Sequence, residues 1–169
     1  SLSVKNYLLG GLGQDNIEHQ NIYHLIMDLL VSLQAEEVPP GLIEFDNELL
    51  LSELRLFVDW YIPYAYKREI LIHELEEFMD IWQAILAEQA PMQNSIILRD
   101  YHVENMMYLP KRESLQKLGL LDFQDALIGS PIYDLVSVLE DARMEVPRLE
   151  ALKYIEYFSK EKEMDIEPV

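Results

Sequence analysis

The sequence predicts an α+β fold that is mostly helical, with a small antiparallel β element carrying a polar loop. Three observations predict it. Apolar residues repeat at helical spacing through most of residues 15–89; short apolar runs then alternate with polar loops up to residue 121; helical spacing returns from Pro131.

The elements follow in order. Tyr7-Leu8-Leu9 and Gly10-Gly11-Leu12-Gly13 read as a strand or extended lead-in followed by a turn, so residues 1–14 are a hinge segment. A phosphate-loop reading of these glycines fails, because the Lys and Ser/Thr that complete a Walker-type loop are absent. Asp15-Asn16 is a helix N-cap signal, and Leu25, Ile26, Leu29, Leu30 and Leu33 form an apolar stripe that stops at Pro39-Pro40-Gly41. A second helix spans residues 47–61 and ends at Pro63, with Leu50, Leu51, Leu54, Phe57, Val58 and Tyr61 on one broad face. The clearest stripe lies in residues 67–89, with Leu71, Leu75, Phe78, Met79, Trp82, Ile85 and Leu86, and predicts the central helix. Ile96-Ile97-Leu98, Met106-Met107-Tyr108-Leu109 and Leu118-Gly119-Leu120-Leu121 read as small strands around a functional loop. From Pro131 one helix follows, Pro147 opens another, and the charged tail from Lys160 should fray. At 169 residues, with no long linker and no repeat, the chain reads as one domain, 1–169.

Composition limits function. Thirteen basic residues against 31 acidic ones give a formal charge of −18 without a basic patch, which disfavours nucleic acid and anionic membrane surfaces as partners. The absence of cysteine excludes disulfides, thiolate metal sites and cysteine nucleophiles, and a cytoplasmic location fits. Neither a transmembrane run nor a secretory signal is readable, and a start at Ser1 suggests a processed or excised fragment.

The chemistry lies in Leu98-Arg99-Asp100-Tyr101-His102-Val103-Glu104-Asn105 and Leu121-Asp122-Phe123-Gln124-Asp125. An Asp followed five residues later by Asn, then by a second Asp at the end of an apolar run, suits phosphoryl transfer. One carboxylate meets an acceptor hydroxyl, while an amide oxygen and a second carboxylate are hard ligands for magnesium and leave positions for water and phosphate. A lone Asp-x-x-x-x-Asn arises often by chance; the second motif and Tyr133-Asp134-Leu135 supply context. Asp125 is either a metal or substrate contact or a capping carboxylate before Gly129-Ser130-Pro131. Glu53, Asp59, Trp60 and Tyr61 either line a sugar pocket, with aromatic faces against sugar C–H surfaces, or pack at a helix end. His19, His24 and His73 lack metal-site spacing and read as helix-face residues, and Met106-Met107 as packing.

With these motifs in this order, residues 7–146 resemble the aminoglycoside phosphotransferase and choline kinase family of small-molecule kinases. The similarity is greatest to its bacterial amino-sugar kinases acting on N-acetylmuramate and N-acetylglucosamine, which carry a Glu-x-x-Leu-Phe-x-x-Trp-Tyr segment like residues 53–61 here. The resemblance implies the C-terminal lobe of a protein-kinase-like fold, with ATP and magnesium as cofactors and a small-molecule hydroxyl as acceptor. Residue by residue it implies Asp100 as catalytic base, Asn105 and Asp122 as metal and nucleotide ligands, His102 as loop support and Asp134 as a brace of the catalytic loop. Leu98-Arg99-Asp100 stands where many members have His-Gly-Asp, and no β-rich N-terminal lobe with its phosphate-contacting Lys is represented. Three expectations follow: an ATP-dependent kinase of which this chain is a lobe, inactive alone; a non-catalytic remnant that binds a partner; or one half of a split kinase whose nucleotide lobe is another polypeptide.

Overall fold

The computed structural model describes residues 2–10, 17–88, 94–164 and 166. In chain order the elements are β1 (Leu2–Ser3), α1 (Val4–Gly10), α2 (Ile17–Gln34), α3 (Asn47–Leu56), α4 (Ile62–Tyr66), α5 (Ile72–Ala87), β2 (Ser95–Ile97), β3 (Met106–Tyr108), β4 (Leu118–Leu120), β5 (Leu127–Gly129), α6 (Ile132–Leu139) and α7 (Arg148–Glu161). They fall into two compact units, Ser1–Leu42 with Asn94–Val169, and Ile43–Gln93.

In the first unit α2 is the central helix. Ile22, Tyr23, Ile26, Met27 and Leu30 recur at helical spacing and are all buried, so one face of α2 forms the middle of the core. Leu25, Leu29 and Leu33 flank that face and are only partly buried. α7 stacks on α2 through Tyr154, whose ring lies 5.4 Å from Tyr23 and 5.3 Å from His24. The Tyr157 hydroxyl donates to Asp28 along the same seam. The strand expected at Tyr7-Leu8-Leu9 is instead part of α1: Val4, Tyr7 and Leu8 face the core at helical spacing while Asn6 is exposed, whereas a strand, with its period of two, would put Asn6 on the same face as Val4 and Leu8. Only Leu2–Ser3 pairs as a strand, antiparallel to β3. Of the glycine segment, residues 11–13 lie outside the described residues, as does the N-cap pair Asp15-Asn16.

Two short antiparallel pairs bracket the polar loops. β2 pairs with β5 from Ser95↔Gly129 to Ile97↔Leu127, and β3 pairs with β4 from Met106↔Leu120 to Tyr108↔Leu118. β5 escapes sequence reading because its three residues, Leu-Ile-Gly, sit between a turn and the Ser130-Pro131 break and show no alternation. α6 and α7 begin beside Pro131 and Pro147, as their sequences predict. Met164 and Ile166 pack against the core, so the described part of the tail is docked and not frayed.

The second unit is helical. Asp46 caps α3 by accepting the Leu49 N–H at 2.8 Å. The helix does not end at Pro63. Residues Phe57–Tyr61 widen into a π-helical turn, in which the Ile62 N–H reaches back to Phe57 O, and α4 continues with Pro63 in its first turn. Proline has no N–H and crowds the carbonyl four residues before it, and a widened turn accommodates both defects. α4 stops at Lys67, in the left-handed region with φ 54°. α5 starts where Glu74 accepts the Leu71 N–H at 2.9 Å while gripping the Arg68 guanidinium at 2.7 and 2.9 Å. Of its stripe, only Leu86 is fully buried, so α5 is not the central helix.

Leu30 is inaccessible and Leu9 is 64% exposed. Leu30→Ala should therefore cost about 2–5 kcal/mol, and Leu9→Ala less than about 0.5 kcal/mol, in denaturant titrations of the two variants.

Candidate active site

The loop after β2 is built around a strained turn. Arg99 has φ 69°, and the Asp100 N–H bonds to Leu98 O at 2.8 Å, closing a three-residue γ-turn with Arg99 at its centre. Such a backbone costs about 1–3 kcal/mol for a residue other than glycine and persists only when the surroundings fix it. Here Asp134, on α6 and fully buried, does so. Its Oδ2 accepts the Leu98 N–H at 2.7 Å and its Oδ1 the Arg99 N–H at 3.0 Å, while Ser137 Oγ, a turn further along α6, donates to Arg99 O at 3.3 Å. Tyr101 anchors the other side: its buried ring lies in the core and its hydroxyl donates to Ile26 O on α2 at 2.7 Å. Between these anchors the Asp100 side chain is exposed.

Asp100 and Asn105 are brought together directly. The Asp100 carbonyl accepts the His102 N–H at 3.0 Å and the Asn105 side-chain amide at 3.2 Å. Asn105 Nδ2 also lies 3.4 Å from His102 Nε2. With the nitrogen committed to these two acceptors, the amide oxygen of Asn105 is turned the other way and is available to a ligand. His102 is buried beside it and supports the amide; it is not exposed toward an acceptor.

Asp122 lies two residues past the end of β4. The Leu121 N–H bonds to Asn105 O at 2.9 Å, extending the β3–β4 pairing by one step, so Asp122 follows immediately after the residue opposite Asn105. It too is strained, with φ 59°, and its Oδ1 accepts Gln124 Nε2 at 2.6 Å. Asp125 is exposed in the turn that follows. Glu53 and Trp60 belong to the second unit, where Trp60 is 74% exposed and thus no core residue, and Tyr61 stacks on Phe57 at 4.9 Å.

No group of three or more His, Cys, Asp or Glu side chains able to hold a metal occurs among the described residues. One amide oxygen and one carboxylate fit magnesium better than a metal that demands a full protein cage, because magnesium keeps several waters and takes phosphate oxygens. Sequence reasoning missed the supports Tyr101, Ser137 and Glu104, since their partners are remote in the chain and no spacing announces them.

The chain matches the family model of the phosphotransferase enzyme family over residues 7–165. It belongs to that family. It is 31% identical over 156 residues to an N-acetylmuramate/N-acetylglucosamine kinase of Caulobacter vibrioides, an alignment covering 85% of this chain and 42% of the relative. A protein of the same name from Neisseria meningitidis serogroup B is 34% identical over 116 residues, 69% of this chain and 33% of the relative. The chain thus spans less than half the length of these relatives. The solved structure of a gentamicin–APH(2″)-IIa complex shares its fold with a TM-score of 0.60 at 17% identity, over 94% of this chain and 52% of that one.

Burial pushes the Asp134 carboxyl up to about 6; the negative charge of Asp100 adds to the rise, and the Leu98 and Arg99 N–H groups oppose it. The folded chain therefore holds this proton more tightly than the unfolded chain, whose aspartates titrate at about 4. The stability contributed by that proton is complete below pH ~4 and is lost as pH rises through about 6. Unfolding free energies measured across that window should fall for the wild type and lack this component in Asp134→Ala. The same variant leaves the buried Leu98 N–H without its acceptor, at about 1–3 kcal/mol, and the partly buried Arg99 N–H at less, and should speed hydrogen exchange at both.

Proposed function

We propose that this chain is the acceptor- and metal-binding lobe of a small-molecule kinase that moves the γ-phosphoryl group of ATP to a hydroxyl of an N-acetylated amino sugar. The observation that supports it most is the pinned loop, which exposes Asp100 and commits the Asn105 amide nitrogen inward, with Asp122 one residue past Leu121, whose N–H bonds to Asn105 O. Membership of the phosphotransferase family and relatives named as N-acetylmuramate/N-acetylglucosamine kinases support the reaction class and the acceptor.

In this reading the Asp100 carboxylate accepts a hydrogen bond from the acceptor hydroxyl, orients its oxygen toward the γ-phosphorus and takes its proton as the new O–P bond forms. The bond from the γ-phosphorus to the β,γ-bridging oxygen breaks, and ADP carries away that electron pair. Asn105 Oδ1 and an Asp122 carboxylate oxygen would hold magnesium, which would supply charge neutralisation at the phosphates. Gln124 fixes the Asp122 carboxylate by occupying one of its oxygens. Trp60, exposed in the second unit, and Glu53 offer an aromatic face and a carboxylate of the kind that bind sugars, and no step is assigned to them. Asp125 is assigned no chemical step.

With 13 basic residues in 169, the chain has few groups of its own for a nucleotide's phosphates. The remaining nucleotide contacts are proposed to come from a β-rich lobe outside these residues, carried on a longer chain or on a separate polypeptide. A cytoplasmic setting, where ATP is plentiful, suits the reaction; among the described residues no helix is long and apolar enough to cross a membrane.

The test is transfer of label from γ-labelled ATP to a panel of N-acetylated amino sugars, with magnesium, by the full chain in the presence and absence of such a lobe. Transfer is expected, and Asp100→Asn should slow it at least about a hundredfold. Near-normal turnover in that variant, or transfer to no member of the panel under either condition, would overturn the reading.

A further inference from the structure

Glu104 sits on the 3-10 turn Val103–Asn105, one residue before the proposed metal ligand, and both of its carboxylate oxygens are engaged by cations from other parts of the chain. Oε1 lies 2.5 Å from Lys5 Nζ on α1, and Oε2 lies 3.0 Å from Arg143 Nε in the loop after α6. Arg143 is itself held in place: its backbone N–H donates to Asp141 Oδ1 at 2.9 Å, and Nη1 reaches the same oxygen at 3.2 Å. The Asp141 side chain is inaccessible, so this end of the network is fixed in the core while Glu104, at 42% side-chain exposure, is the outer end. α1 packs against the same 3-10 turn. The Lys5 ammonium, with Arg143 behind it, holds the Glu104 carboxyl below the usual carboxylate range.

Isolated surface ion pairs contribute little to stability, and this one is too exposed to serve as a fold-holding contact. A carboxylate gripped from two directions does something else. It removes the rotation about the loop axis that a single contact would permit, and on a 3-10 turn that rotation is what would swing the next residue. Asn105 is that residue. Its N–H bonds to His102 O at 2.9 Å and its carbonyl accepts the Leu121 N–H at 2.9 Å, so any swing of Glu104 pulls on both the loop and the β3–β4 edge that leads to Asp122.

We propose that Glu104 is a positioning residue, clamped by Lys5 and Arg143, that holds Asn105 in register with Asp122 for the cation. The metal part of this inference rests on the function proposed above; the clamp itself does not. Outer-shell partners of metal ligands typically influence affinity by about ten- to a hundredfold, and an effect at the lower end of that range is expected here.

The experiment uses the full chain and the variants Glu104→Gln, Arg143→Gln, the double variant and Arg143→Lys. Amide hydrogen exchange at Asn105 is read beside the thermal midpoint, and Mn2+ alone is titrated as the metal probe. Glu104→Gln should speed exchange at Asn105 and weaken Mn2+ binding, each about tenfold, with the thermal midpoint almost unchanged. The double variant should be no worse than Glu104→Gln, and Arg143→Lys, which keeps the charge, should recover most of both effects. Unchanged exchange at Asn105 in Glu104→Gln overturns the clamp, and so do additive effects in the double variant. Should Arg143→Gln fail to fold, Glu104→Gln alone decides. If wild type itself binds no Mn2+ while the exchange effects appear, the clamp stands and the metal-site reading fails.

Discussion

The geometry of the candidate site depends on one buried carboxylate. Asp134 spends both oxygens on consecutive backbone N–H groups, and without that grip Arg99 has no reason to remain at a positive φ. The strain and its restraint are matched in kind: a turn that costs about 1–3 kcal/mol is held by two charge-assisted hydrogen bonds in a dry environment, where such bonds are strong. Everything that follows Arg99 inherits its direction from this contact, including the exposed carboxylate of Asp100 and the carbonyl that orients Asn105.

Three kinds of support converge on a loop of eight residues, and they divide the labour. The α6 carboxylate sets the backbone; Tyr101 ties the loop to α2 through the core; the β3–β4 edge brings Asp122 beside Asn105. The strands are only three residues long, too short to be stable alone, and serve as rulers that fix register. Asp100 and Asp122 are exposed and Asn105 is half-buried, whereas His102, Tyr101 and Asp134, which support the loop, are buried. The proposed phosphoryl transfer would need position and charge more than covalent chemistry, and a loop pinned in this way supplies position. Under the proposed function, the chain's excess of acidic residues favours a cation as the means of accepting an anionic phosphate.

Much of this was legible in the sequence where local chemistry is strong. Proline marked the starts of α6 and α7, and apolar runs marked β2, β3 and β4. Asp100, Asn105 and Asp122 could be singled out as candidates because their spacing is set by a short loop and one hairpin. Local signals failed where tertiary context decides. The apolar stripe of α5 is stronger to the eye than that of α2, yet α2 is the buried one, since burial depends on which elements surround a helix and not on its pattern alone. The run Tyr7-Leu8-Leu9 is too short to separate helix from strand by period, and the exposed Asn6 between buried Val4 and Leu8 decides it. The π-helical turn has no sequence signature beyond Pro63, and the Glu104 network joins residues 99 positions apart.

The central claim is that Asn105 and Asp122 form a working cation and phosphate half-site on a loop held in shape by the fold. Calorimetric titration of the full chain with ATP and magnesium, beside Asp122→Ala, tests it most directly. The account predicts binding in the wild type that is lost in the variant while both proteins stay folded. Equal binding in the two, or no binding in the wild type, would contradict it.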